Sequence, residues 1–77
     1  MPHVDLKFIT RNLTADQQQA ISDDLIAVLK KHFNSSDDSV SIMMHEIPAD
    51  DWKSEVYQPI IQANMNSLVK KPGYTMD

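Results

Sequence analysis

Proline at the second position is the residue with the most chemistry to offer in this chain. A small residue behind an initiator methionine normally allows that methionine to be removed, and the mature chain then opens on a secondary amine. A free α-amine titrates at about 7.7–8.0, and prolyl amines are intrinsically more basic. Apolar walls or a nearby cation disfavour the ammonium form and bring the amine towards neutrality. Such a nitrogen is a general base that needs no metal. If Met1 stays, or anything is fused ahead of it, the nitrogen becomes an amide and the base is gone.

The remaining inventory is short. Gly73 is the only glycine and there is no cysteine. These counts exclude a Gly-rich phosphate loop, a thiol nucleophile and any thiolate metal site. The nucleophile-elbow, H-E-x-x-H and EF-hand patterns are absent as well. His3, His32 and His45 lack metal-ligand spacing, so no metal is expected. His32 falls in the last turn of a helix, where a cation is favoured. His3 and His45 either flank a pocket or sit in satisfied structural roles. Asp50-Asp51 reads as a helix cap before it reads as a carboxylate pair, and Met43-Met44 reads as core packing.

The elements that must position these residues follow from periodicity. Between residues 2 and 9, Val4, Leu6 and Phe8 alternate with His3, Asp5 and Lys7, the period of a half-buried strand. Proline is tolerated at a strand's first position. After a polar turn over 10–13, Thr14-Ala15-Asp16-Gln17 predicts a capping box. Ile21, Leu25, Val28, Leu29 and His32 predict one buried helical stripe, and the Asn34–Asp38 run ends the helix. Val40, Ile42 and Met44 alternate with Ser41, Met43 and His45 as a second strand. A helical connection of this length between two strands implies a parallel pair. Pro48 closes that strand, Asp50 or Asp51 caps a last helix, and Trp52, Val56, Ile60, Met65, Leu68 and Val69 form its looser apolar stripe. Pro59 predicts a break or kink near Tyr57-Gln58. Lys70-Lys71-Pro72-Gly73 stops the helix and leaves residues 74–77 as a tail.

The predicted class is thus α/β (α+β): a β-α-β protomer with a C-terminal helix, one domain over residues 1–77. Seventy-seven residues bury only about 60% of their unfolded surface, and chains of this size usually need disulfides, a metal or a partner subunit. Two parallel strands also leave two open edges, and parallel sheets normally have both faces covered. A homodimer with a four-stranded sheet backed by helices answers both demands. The net charge of −4 argues against nucleic acid, whose phosphates call for a basic face. No apolar run approaches the about 20 residues of a membrane span, and the first residues lack the features of a signal peptide, so a cytoplasmic location is the expectation.

The sequence resembles the 4-oxalocrotonate tautomerase family, and within it the PptA-type members. The likeness is carried by Met1-Pro2-His3-Val4-Asp5-Leu6-Lys7, by Arg11 with Leu13 two residues on, and by Asp16-Gln17-Gln18-Gln19-Ala20-Ile21. It continues through Asn34-Ser35, Ser39-Val40-Ser41-Ile42, Trp52 and Lys70-Lys71-Pro72-Gly73-Tyr74-Thr75-Met76. The resemblance implies a β-α-β protomer, catalysis by Pro2, no cofactor and a homodimer. It also implies ketonisation of enols of 2-oxo acids, aromatic ones such as phenylenolpyruvate included. Arg11 would hold the substrate's carboxylate, with a reach across the dimer open to it. Trp52 would form an apolar wall, and His3 and Lys7 would be second-tier polar contacts. The family's second-strand arginine falls here on Ser41, which cannot do that electrostatic work, so a monocarboxylate with an apolar or aromatic tail fits better than a dicarboxylate.

Each residue also has a plainer reading: Arg11 as a surface residue before the helix, Trp52 as core filler, Lys7 as a solvated strand residue. Two rival functions stand beside the tautomerase expectation. One is a related proline-dependent dehalogenase or decarboxylase, which needs a protonated proline at neutral pH. The other is a non-catalytic dimer that binds a small hydrophobic carboxylate.

Overall fold

In the computed structural model, which describes all 77 residues, β1 (His3–Ile9) and β2 (Ser41–Ile47) pair in parallel from His3 opposite Ser41 to Ile9 opposite Ile47. Helix α1 (Ala15–Phe33) connects them. The connection works because each end of α1 is closed locally. Thr14 takes the Gln17 amide N–H on its side chain, and the Gln17 side chain takes the Thr14 N–H at 2.8 Å. At the other end Asn34 adopts φ 55°, ψ 32° and donates its N–H to the Lys30 carbonyl, using the tolerance of asparagine for the left-handed region. Asn12, also at positive φ, turns the chain from β1 towards α1. Thr14→Ala is expected to cost about 1 kcal/mol of stability, read as a lower midpoint in urea at unchanged slope.

The face of α1 turned to the sheet differs from the expected stripe. Ile21, Ser22, Leu25, Ile26 and Leu29 are half-buried, whereas His32 is exposed and Val28 keeps 51% of its surface in solvent. At 100° per residue, Val28 lies about 90° from the centre of that face, beyond what a two-stranded sheet can cover. On the sheet itself Met44 is half-buried. Met43, expected in the core, is 51% exposed on the outer face.

After Pro48 the helix is not regular. A 3₁₀ turn over Ala49–Asp51 is closed by Asp51 N–H on the Pro48 carbonyl at 2.9 Å, so neither Asp50 nor Asp51 caps it with a side chain. A π-helical stretch follows over Lys53–Ile61, then a 3₁₀ stretch over Gln62–Ser67. Pro59 neither breaks nor kinks the helix at Tyr57-Gln58, which runs on in π winding. In an α-helix its ring would meet the carbonyl four residues back, and the wider π winding gives it room. The kink comes later, at Asn64 (φ −122°, ψ 25°), whose side chain recovers the Ile60 carbonyl at 2.8 Å. The helix ends at Ser67, before the Lys70–Gly73 stop. Val56 and Tyr57 are the only buried residues; Ile60 and Val69 are exposed. The tail over residues 74–77 folds back: Tyr74 packs its ring on Tyr57 with centroids 5.8 Å apart. No helix is long and apolar enough to cross a membrane.

Candidate active site

The carboxyl end of β1, the turn after it, Trp52 and the returning tail form an open cavity of about 480 Å³ lined by Lys7, Phe8, Ile9, Arg11, Trp52, Tyr74 and Met76. Open α/β sheets commonly place ligands beyond this end of their strands. Lys7 and Phe8 are successive strand residues and point to opposite faces, so the cavity wraps the free edge of β1. Its walls are mostly apolar, and its cations are Lys7 and Arg11.

These two cations differ in what already holds them. Lys7 Nζ donates to Asp5 Oδ1 at 3.1 Å, and His45 Nε2 lies 3.0 Å from the same oxygen. The Lys7 hydrogen bond, opposed by some desolvation and helped by the charges of Lys7, His45 and His3, holds the Asp5 carboxyl below its ordinary value. Arg11, in the turn after β1, is exposed and makes no ion pair or hydrogen bond within the protomer. Its five donors are free for a ligand. Trp52 is half-buried and directs its indole N–H to the Tyr74 hydroxyl at 3.1 Å.

Three of the five expected site residues therefore share one cavity: Lys7, Arg11 and Trp52. Pro2 and His3 do not join them. Pro2 precedes Lys7 by five extended residues, about 16 Å at the rise of a strand. There the Pro2 carbonyl accepts the Ser41 N–H at 3.2 Å, and His3 Nδ1 lies 2.7 Å from Ser41 Oγ. Sequence reasoning missed Phe8, Ile9, Tyr74 and Met76 as lining. The Tyr74-Thr75-Met76 alternation after Pro72-Gly73 was the one available sign that the tail returns to pack.

The family described as "Tautomerase enzyme" matches residues 2–56, which takes in both strands, α1, Pro2, Arg11 and Trp52. The chain belongs to the tautomerase family. It is 55% identical over 75 residues to "Tautomerase PptA" of Pectobacterium carotovorum subsp. carotovorum, covering 97% of this chain and 99% of the relative. The protein of the same name from Cronobacter sakazakii is 45% identical over 76 residues, covering 99% and 100%. That from Escherichia coli K12 is 38% identical over 77 residues, covering 100% and 99%. This tautomerase is thus an isomerase, which sets aside the reading as a non-catalytic binding module. Its relatives span the returning tail as well as the β-α-β core.

Proposed function

We propose that the chain is a cofactor-independent tautomerase that ketonises the enol of a 2-oxo monocarboxylate with an apolar or aromatic tail, phenylenolpyruvate being the representative substrate. It works as a homodimer in which Pro2 of one copy faces the Lys7–Arg11–Trp52 cavity of the other. The observation that carries this reading is the unpaired Arg11 guanidinium on the wall of an apolar cavity. One free fork of donors matches one carboxylate, and the apolar lining matches a hydrocarbon tail.

The need for a second copy has its own support. Only two residues are buried, and the radius of gyration of 14.3 Å exceeds the about 11–12 Å of a compact chain this long. Ile9, Val28, Phe33 and Met43 are exposed and await cover. A partner running antiparallel beside the free edge of β1 would both extend the sheet and bring its amino end to this cavity. Met1 is fully exposed, so its removal sacrifices no packing.

In the reaction the neutral Pro2 nitrogen takes the proton of the enol O–H. The oxygen's electrons re-form the C2=O bond, the C2=C3 pair moves onto C3, and the prolinium delivers its proton there. One proton leaves oxygen and one reaches carbon, so the step balances with no co-reactant. Arg11 fixes the carboxylate, while Trp52 and Phe8 exclude water and favour the unprotonated amine. The test is the absorbance decay of phenylenolpyruvate with protein shown by mass to begin at Pro2. A rate far above buffer is expected, and no acceleration by an intact dimer overturns the reading.

A further inference from the structure

We propose that Tyr74 binds the substrate directly, its phenol O–H donating to the substrate's 2-oxygen; this rests on the tautomerase reading above. The argument begins with Trp52. An indole N–H only donates, so in the 3.1 Å bond between Trp52 Nε1 and the Tyr74 hydroxyl the phenol oxygen is the acceptor. The phenol's own hydrogen is then directed elsewhere, and no group of the protein accepts it. Tyr74 lines the cavity and remains 45% exposed, so this spare donor is available to whatever the cavity holds.

Its position is set from two sides. The ring packs on Tyr57, one of the two buried residues, and the hydroxyl is held by Trp52. Accepting from Trp52 polarises the phenol O–H and makes it a stronger donor. The chemistry needs such a donor at one point. As Pro2 removes the enol proton, negative charge gathers on the 2-oxygen, and a donor already in place stabilises it without reorganisation. Of the cavity's two cations, Arg11 is taken by the carboxylate in this reading, and Lys7 spends one of its three donors on Asp5 and is held towards that carboxylate. Ser41, on the second strand, lies within hydrogen-bond reach of His3 at the opposite end of the strand pair. Tyr74 thus supplies from the tail what the second strand does not.

Tyr74→Phe keeps the ring and removes only the hydroxyl. Loss of one preorganised donor typically lowers kcat by about 10²–10³-fold, and that loss is expected here. Trp52 is the only tryptophan and touches Tyr74, so its fluorescence also reads binding without turnover. The parent is expected to bind phenylpyruvate more tightly than 3-phenylpropionate, which lacks the 2-oxygen, and Tyr74→Phe is expected to erase that preference while leaving 3-phenylpropionate affinity unchanged. Parent binding of both acids with equal affinity overturns the proposal, whether or not the variant folds. So does a Tyr74→Phe variant that keeps its kcat within about threefold, or that weakens both acids alike. An inactive parent whose 2-oxo preference still depends on Tyr74 would instead count against the tautomerase reading and for the donor.

Discussion

Protein that retains Met1, or carries one added residue ahead of Pro2, is expected to ketonise phenylenolpyruvate about 10²–10⁴-fold more slowly in kcat/KM than protein beginning at Pro2. The range is the usual contribution of a positioned general acid–base group. The mechanism of the loss is electronic: in a peptide bond the nitrogen lone pair is delocalised into the carbonyl, and the tertiary amide of a blocked proline can neither accept the enol proton nor carry it to C3. Because Met1 is fully exposed in the protomer, the blocked protein should fold as the processed one does. Mass spectrometry assigns the amino terminus, and the two preparations are assayed side by side. Equal rates would remove Pro2 from the chemistry. Titration of the free amine adds the sign: a value near or below 7 fits a base, whereas one near 9 fits the acid that a dehalogenase or decarboxylase needs.

The parts of the fold that were legible in the sequence are those decided within a few residues. Thr14 and Gln17 satisfy each other's backbone amides, Asn34 takes the left-handed position that ends α1, and Pro48 closes β2. The strands were equally plain, because Val4, Leu6 and Phe8 can share a face only at a period of two. What was not legible depends on partners distant in the chain. Val28 looks like core until the sheet beneath α1 proves too narrow to reach it. Pro59 looks like a break because the rule against it assumes α-helical winding, and the π-helical stretch departs from that assumption. Tyr74 has only the short Tyr74-Thr75-Met76 alternation around it, too little to say where it packs; its place follows from Tyr57 and Trp52. The site divides in the same way. Arg11 and Trp52 were nameable one by one, but their meeting at the free edge of β1, with Pro2 at the far end of the same strand, is a property of three dimensions. That separation is also what makes a second copy chemically necessary to the proposed reaction, beyond its value for stability.

Arg11→Ala is expected to lower kcat/KM for an enol monocarboxylate by about 10- to 100-fold. The magnitude follows from the pairing. A hydrogen bond to a charged group contributes about 1.5–3 kcal/mol, and each 1.36 kcal/mol is a factor of ten. Stability should hardly change, because the side chain is exposed and holds no partner within the protomer. Arg11→Lys should recover only part of the loss, since an ammonium is a point charge and cannot offer the planar fork that a carboxylate meets with both oxygens. The deciding control is on the substrate side. An ester of the same enol carries no anion for Arg11 to hold, so its rate should be low in the parent and indifferent to Arg11→Ala. A parent that handles acid and ester equally, or a variant that loses both alike, would return Arg11 to the plainer role of a surface residue before α1. Rising ionic strength separates the cases again: the parent's advantage for the acid should shrink with salt, because the pair forms in an open cavity where screening reaches it.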